Sequence, residues 1–325
     1  MNDQIHPEEH TEQEQPDLSP ERPHPRRQRS WSWSGTLTLA FSFLAMLLAG
    51  MALLLAVLDR PAKEPEEEPA GPATFQFGEQ TLEVLEGMPL QPYDWRSFST
   101  ESLGGGRWRA VYRQNGRSAR TGIDISFYQG EIDWQAVAGD GIDFVILRLG
   151  YRGYTEGGLM QDKNYVQNLQ GALNAGLDVG VYFFSQAITP QEAEEEADYI
   201  LSVLNGAPLA YPIAFDWEHV SDPGARSNGL DGAVLTQCAK AFCARIREGG
   251  YEPAVYFNQN LGYLQYDLRE LEDSVLWLAE LNSPPKFYYH FDLWQYSHTG
   301  TVAGIQGEVD MDLDLRPVLD AEETA

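Results

Sequence analysis

Strand-like and helix-like segments alternate from Gly122 to Leu313, and this alternation constrains the fold more than any other feature of the chain. Strand, helix and strand in repetition are typical of a parallel sheet with helices packed against it. Eight candidate strands are enough to close such a sheet into a barrel, in which loops rather than full helices link the last three. The predicted strands are 122–126, 143–150, 178–184, 211–218, 252–258, 274–281, 291–297 and 309–313. The predicted helices are 133–138, 163–175, 190–204 and 230–248.

The predicted strand 211–218 ends in two acids that lie two positions apart, Asp216 and Glu218. Residues i and i+2 of a strand point to the same face, so these side chains should project together while Phe215 and Trp217 face the other way. Two crowded carboxyl groups raise each other's pKa, and apolar surroundings raise it further. A carboxyl group with a raised pKa can act as a general acid near neutral pH. For an isolated Asp-x-Glu, a strand end that simply meets solvent is the competing interpretation.

Polar and aromatic residues also occur near the ends of other predicted strands. In a parallel barrel the carboxyl ends of the strands form the rim that carries the active site. Any one of these residues could be a turn, a cap or part of the core, but several acids and aromatic rings meeting at one rim favour a catalytic cleft. The rim candidates, besides Asp216 and Glu218, are Asp124, Tyr128, Gln129, Arg148, Tyr182, Tyr256, Trp277, Trp294, Gln295 and Asp310.

Composition narrows the function further. The formal net charge of −27 argues against a nucleic-acid partner, because phosphate binding needs clustered Lys and Arg. The two cysteines, Cys238 and Cys243, fall in one predicted helix on different faces, so we expect both to be buried and unbridged. None of the six histidines has metal-ligand spacing, and we expect neither a metal nor another cofactor.

The first third of the chain lacks this alternation of strand-like and helix-like segments. Residues 1–34 are polar and predicted to form a disordered cytoplasmic tail. Residues 35–58 lack charge and are long enough to cross a bilayer, with arginines before them and acids after them, which predicts a single-pass membrane protein with its N-terminus inside and its larger part outside. Residues 59–73 are a Pro- and Glu-rich linker, and residues 74–118 carry hairpin-like patterns typical of a small β-rich module.

From residue 120 to residue 315 the sequence resembles the muramidases of glycoside hydrolase family 25. The resemblance is carried by the opening motif Gly122–Gly130, by the Asp216-Trp217-Glu218 strand end, and by the segments 143–150, 182–184, 276–279, 294–296 and 309–312. It implies an irregular TIM-like (β/α)5(β)3 barrel over residues 119–320. It also implies cleavage of the β-1,4 bond between N-acetylmuramic acid and N-acetylglucosamine in the glycan strands of peptidoglycan.

The resemblance further implies roles for the rim residues. Glu218 would be the general acid, and Asp216 would position the substrate's acetamido group or a water. Asp124 and Asp310 would complete the acidic rim. The saccharide cleft would be lined by Tyr182, Tyr256, Trp277, Trp294 and Gln295. Asp312 departs from the pattern, since the family often has Asn there.

Three questions stay open at the level of sequence. The spacing of the two acids, about 7 Å between Cα atoms, does not distinguish inversion, a covalent nucleophile and assistance by the substrate's acetamido group, of which we favour the last. A catalytically weak, membrane-tethered peptidoglycan-binding module is the alternative from another functional class. The other alternative is a barrel glycosidase that acts on chitin-like chains. Such enzymes usually carry a longer Asp-x-x-Asp-x-Asp-x-Glu run, which is missing here.

Overall fold

The computed structural model describes residues 46, 49–51, 73–281 and 284–319. The predicted tail, the linker up to residue 72 and most of the predicted membrane span therefore lie outside the described residues. The described residues of that span, Met46 and Ala49–Met51, are helical. In the described part of the chain we find no helix that has both the length and the hydropathy needed to cross a membrane. The chain divides into two units at Pro72, and the elements described below belong to the second unit, Ala73–Ala325.

Residues 74–118, called here the N-terminal β segment, form two small antiparallel sheets. Asn115 and Gly116 both have positive φ and make the tight turn that the Asn-Gly pair predicts, since that turn needs two left-handed residues. The first sheet pairs β1 (Thr74–Phe77) with β2 (Gln80–Glu83), and the second comprises β3 (Phe98–Gly104), β4 (Arg107–Gln114) and β5 (Arg117–Ser118). A 3₁₀ helix, Trp95–Ser97, lies between the sheets.

Eight strands then form a closed barrel, which confirms the predicted strand count. The sheet closes because its first strand pairs with both the second and the last strand of the barrel. A short ninth strand, β8 (Leu159–Gln161), extends the second strand as a hairpin. The barrel strands are β6 (Arg120–Ile125), β7 (Phe144–Arg152), β9 (Asp178–Ser185), β10 (Ile213–Trp217), β11 (Pro253–Asn258), β12 (Val275–Ala279), β13 (Leu293–Gly300) and β14 (Val309–Asp314).

The four predicted helices are present, and α3 has its predicted start. Thr189 caps α3 by accepting a hydrogen bond from the backbone of Glu192, with Pro190 in the first turn. The buried cysteines Cys238 and Cys243 are both free, as expected. The helices are α1 (Trp134–Gly139), α2 (Tyr165–Asn174), α3 (Pro190–Leu204), α4 (Gly232–Glu248), α5 (Gln259–Leu264) and α6 (Arg316–Leu319), with 3₁₀ helices at Phe127–Gln129 and Leu268–Glu270.

The last strand corrects the prediction of a parallel sheet. β14 runs antiparallel to both of its neighbours, β13 and β6. The physical reason is the short connection between residues 300 and 309, because a parallel return needs a crossover of about a dozen residues or more. The start of β14, rather than its end, therefore lies at the rim formed by the carboxyl ends of the other strands.

The alternation of side chains along the strands divides the core into two layers. An inner cluster fills the barrel and includes Phe144, Ala214 and Trp277. An outer cluster, packed between the strands, the helices and the N-terminal β segment, includes Phe215 and Trp217. The prediction that Phe215 and Trp217 face away from Asp216 is thus confirmed.

Candidate active site

β10 brings the two acids of the Asp-x-Glu pair to the rim. Asp216 lies near the end of the strand and is buried, whereas Glu218 follows the last strand residue and is half buried. Ala214, below them on the same face, belongs to the inner core. The backbone carbonyl of Glu218 accepts a hydrogen bond of 3.2 Å from Nε2 of Gln186, a fully buried residue that follows β9. This bond ties the end of β10 to the neighbouring strand.

The antiparallel pairing of β14 with β6 supplies the other two acids. Asp310 is the direct cross-strand partner of Asp124. Asp124 accepts a hydrogen bond of 2.7 Å from Nε2 of Gln295, and Tyr256 donates a bond of 2.9 Å to Oε1 of the same glutamine. Gln295 is therefore oriented by two partners, and it fixes the position of the Asp124 carboxyl group.

These residues surround one cavity of about 410 Å³ at the carboxyl end of the barrel. All four predicted acids line it, together with four of the eight other rim candidates. The ring of Trp277 forms part of the wall, with the Tyr256 ring centroid 4.9 Å away. The lining residues are Asp124, Tyr182, Asp216, Glu218, Tyr256, Asn258, Trp277, Ala279, Leu281, Gln295, His298 and Asp310.

Burial and crowding set the electrostatics of this cavity. Burial, and then the charge of Glu218, raise the pKa of Asp216 well above its usual range. Burial and the charge of Asp310 raise the pKa of Glu218. Burial and the charges of Asp310 and Asp312 raise the pKa of Asp124 well above its usual range, against the lowering effect of the Gln295 hydrogen bond. The acids cannot all ionise together at little cost, so the site retains protons that a free carboxyl group would lose.

Asp312 lies beneath this group of acids. It is fully buried on β14, and its Oδ1 accepts a bond of 2.9 Å from Nε1 of Trp277. Its Oδ2 has no hydrogen-bond partner among the described residues. Burial raises the pKa of Asp312 well above its usual range. Asp312 therefore orients the Trp277 ring from below the cavity floor.

Four predicted rim residues do not line the cavity. Gln129 caps the 3₁₀ helix after β6 by accepting a hydrogen bond from the backbone of Ser126, and Tyr128 is 75% exposed on that helix. Arg148 donates a bond of 2.9 Å from Nε to Asp162. Its charge nevertheless lowers the pKa of Asp216, so it acts on the site from outside the cavity wall.

Trp294 is the fourth, and here the structure corrects the assignment to the saccharide cleft. The side chain is fully buried on the outer face of β13. Its ring packs against Trp95 at 5.4 Å and Phe98 at 5.7 Å, both from the N-terminal β segment. Because adjacent strand residues point to opposite faces, only one of Trp294 and Gln295 can face the barrel interior, and it is Gln295.

The site residues predicted from the sequence do not include four of the residues that line the cavity, which are Asn258, Ala279, Leu281 and His298. His298 reaches the cavity because a register shift between Gln295 and Ser297 interrupts the alternation of β13. Burial raises the pKa of Asp310, and the charge of His298 opposes this rise. A bulge of this kind has no signal in the sequence pattern. In the described part of the chain we find no cluster of three or more His, Cys, Asp or Glu side chains that could hold a metal ion.

Comparison with known proteins agrees with this geometry. The profile of Glycosyl hydrolases family 25 matches residues 123–305, more than half of the 325-residue chain. The autolytic lysozyme of Clostridium acetobutylicum is 30% identical over 192 residues, which is 59% of this chain and 54% of that protein, so the chain spans about half the length of that relative. Lysozyme M1 of Streptomyces globisporus is 28% identical over 282 residues, which is 82% of this chain and 86% of that protein.

Solved structures share the fold. The bacterial lysozyme of Streptomyces coelicolor superposes with a TM-score of 0.52 at 24% identity, over 64% of this chain and 99% of that one. The spore cortex lytic enzyme SleM of Clostridium perfringens gives a TM-score of 0.53 at 20% identity, over 60% of this chain and 67% of that one. The profile match over most of the barrel, together with the shared fold, shows that the chain belongs to glycosyl hydrolase family 25.

Proposed function

We propose that this enzyme hydrolyses the glycan strands of peptidoglycan at the β-1,4 bond between N-acetylmuramic acid and N-acetylglucosamine. The observation that carries the proposal is the gathering of Asp124, Asp216, Glu218 and Asp310 around one cavity with an aromatic wall. The names of the relatives, an autolytic lysozyme and lysozyme M1, support peptidoglycan as the substrate class.

In the proposed mechanism Glu218 is the general acid. Glycoside hydrolysis needs a protonated group at the leaving oxygen and an ionised group near the oxocarbenium-like centre. Glu218 is the acid of the Asp-x-Glu pair that stands nearer to solvent, and burial together with Asp310 raises its pKa. It donates its proton to the glycosidic oxygen as the bond from that oxygen to the anomeric carbon breaks. Water then supplies the hydroxyl group at the anomeric carbon and returns a proton to the site.

Asp216 is the proposed partner of Glu218. Asp216 lines the cavity, and its buried Oδ1 has no hydrogen-bond partner among the described residues, so the carboxyl group keeps acceptor capacity for a substrate N–H. An acetamido N–H held in this way would let the acetamido oxygen attack the anomeric carbon, which gives a retained product. NMR analysis of the first product distinguishes the routes, because an inverted anomer excludes the acetamido route and the covalent nucleophile alike.

Replacement of the proposed acid tests the whole proposal. We expect Glu218→Gln to clear purified cell walls at least about 100-fold more slowly than the wild type, because loss of a general acid typically costs 10²–10⁴-fold. Glu308→Gln is the matched control, since Glu308 is an exposed glutamate that does not line the cavity. Mass spectrometry of the released fragments should find N-acetylmuramic acid at the reducing end. If wild type and Glu218→Gln clear walls equally slowly, the chain is a binding module instead.

We further propose that residues 35–58 tether the enzyme to the cell membrane, with the N-terminus inside and the barrel outside. The support is the uncharged apolar run, with arginines before it and acids after it. Full-length chain should remain in the membrane pellet after a high-salt and alkaline wash, and protease added to intact protoplasts should remove the barrel. Release of the chain by the wash alone would contradict the tether.

A further inference from the structure

The N-terminal β segment contributes to a groove that opens beside the catalytic cavity, although it lies outside the range matched by the family profile. This groove has a volume of about 470 Å³. Leu281 and His298 line both the groove and the catalytic cavity, so the two are adjacent. The residues that line the groove are Thr100, Trp108, Leu281, Tyr296, Ser297, His298 and Thr299.

Trp108 of β4 is the main aromatic surface of the groove. Its ring centroid lies 5.7 Å from that of Tyr296, a buried residue of β13, so the ring is supported on one side. The side chain is nevertheless 43% exposed. A large aromatic ring left open beside a polar cavity indicates a binding surface more than a gap in the core.

Two ion pairs hold β4 in place at this point. Arg107 and Arg109, the chain neighbours of Trp108, both bind Asp140, at 2.8 Å and 3.0 Å. Asp140 also accepts a bond of 3.0 Å from the backbone of Ala303, in the loop that leads to β14. The ion pairs therefore fix the position of Trp108 before any ligand binds, which lowers the entropic cost of binding.

The chemistry of the groove suits a sugar. An exposed ring can pack against the C–H face of a pyranose, and the hydroxyl groups of Thr100, Ser297 and Thr299 can exchange hydrogen bonds with sugar hydroxyls. None of the described residues that line the groove is Lys or Arg, so the carboxylates of a peptide stem would find neither an ammonium nor a guanidinium group there.

We propose that this groove binds saccharide units of the glycan strand beyond the cleaved bond, with Trp108 as the stacking platform. The inference rests on the proposed function, since the strand in the catalytic cavity is the one that continues into the groove. It assigns a role to the N-terminal β segment, which would lengthen the binding cleft and make the enzyme favour long strands.

Kinetics with substrates of two lengths test the inference in the full-length chain. The long substrate is a peptide-free glycan strand of more than about ten disaccharides, and the short one is a tetrasaccharide with one susceptible bond. We expect the ratio of kcat/KM for long over short substrate to fall about three- to tenfold in Trp108→Ala, as expected for loss of one ring contact. Trp108→Phe should restore most of the ratio. Leu173→Ala, which removes an exposed apolar side chain from α2, should leave the ratio at its wild-type value.

A binding measurement that needs no catalysis completes the test. The measurement is NMR of the indole N–H signals of Glu218→Gln with labelled tryptophan. The signal of Trp108 is identified as the one that is absent when the variant also carries Trp108→Phe. It should shift with the long peptide-free strand and stay in place with the tetrasaccharide. An unchanged ratio in Trp108→Ala, or a shift seen only with strands that carry stem peptides, would overturn the proposal. If the wild type cleaves neither substrate the proposed function fails, while the indole signal still reports whether the groove binds sugar.

Discussion

At the residue scale, the acids of the cavity differ in what surrounds them. Asp124 receives a hydrogen bond from Gln295, and this bond opposes the rise in its pKa. Among the described residues no donor bonds to the carboxyl group of Glu218, and burial and the charge of Asp310 raise its pKa. Two carboxyl groups of similar chemistry thus differ in what sets their pKa, which is the way glycoside hydrolases separate the roles of their acids.

This difference predicts how the pH dependence responds to Asp310→Asn. In the proposed mechanism Glu218 acts while it is protonated, so activity should be lost as the pH rises through its raised pKa. Removing the negative charge of Asp310 removes one cause of that rise, and the alkaline limb of the kcat/KM profile should move to lower pH. Profiles of the wild type, Asp310→Asn and the control Glu308→Gln would measure it. A limb that stays in place or moves to higher pH in Asp310→Asn would contradict the assignment of the limb to Glu218.

The residue scale also shows what the sequence pattern could and could not predict. Strand alternation was enough to place Asp216 with Glu218 and opposite Phe215. It was not enough for Trp294 and Gln295, because alternation says that they face opposite ways without saying which faces inward. Trp294 faces outward because Trp95, about 200 positions earlier in the chain, packs against it on the outer face of β13. Contacts at such separation leave no local periodicity.

At the scale of elements, β14 decides the shape of the site. Its antiparallel direction brings Asp310 opposite Asp124, and the next inward residue, Asp312, below the cavity. Two residues further on, Asp314 is also buried but has strong partners. It accepts bonds of 2.9 Å from Nε of Arg316 and 2.8 Å from the hydroxyl of Tyr211. One strand therefore carries two buried acids whose effects on stability should have opposite signs.

We expect Asp312→Asn to stabilise the protein at pH 7.5 and Asp314→Asn to destabilise it. Because the pKa of Asp312 is raised, the folded state binds its proton more tightly than the unfolded chain does, and the free energy of unfolding falls as the pH rises above the usual Asp value. Asp312→Asn keeps an oxygen that can accept the hydrogen bond from Trp277, and it removes the fall in the free energy of unfolding at high pH. That free energy should therefore increase by about 1 kcal/mol, or ~2–4 °C in Tm. Asp314→Asn removes the buried partner of Arg316, which keeps only its ion pair with Glu252 at 3.0 Å, and should cost about 1–3 kcal/mol.

Urea unfolding of both variants at pH 4 and pH 7.5 measures the two effects. The gain from Asp312→Asn should shrink at pH 4, where the folded wild type already holds the proton. A gain of the same size at both values would show that packing, rather than the charge, is responsible. A stabilising Asp314→Asn would refute the contrast between the two acids.

At the scale of the whole molecule, the N-terminal β segment packs onto the barrel through aromatic contacts and ion pairs. The hydroxyl of Tyr93 donates to the backbone carbonyl of Phe291, and Trp95 and Phe98 cover Trp294. The hairpin patterns of residues 74–118 predict strands from local turn chemistry. They could not predict this docking, because complementary aromatic faces on two distant segments look, in sequence, like ordinary strand residues.

The net charge of −27 leads to a prediction for the whole chain, since the bacterial wall is itself anionic. Like charges slow the encounter of enzyme and wall, and salt screens them over a Debye length of about 30 Å at 10 mM and about 10 Å at 100 mM. Clearing of intact walls should therefore accelerate about two- to tenfold between 10 and 150 mM NaCl, whereas hydrolysis of a soluble tetrasaccharide should change less. Sucrose at equal osmolality controls for osmotic effects on the wall. Walls stripped of their anionic polymers should lose most of this salt response. If added salt instead slows clearing, a local cationic surface outweighs the net charge, which would contradict the prediction.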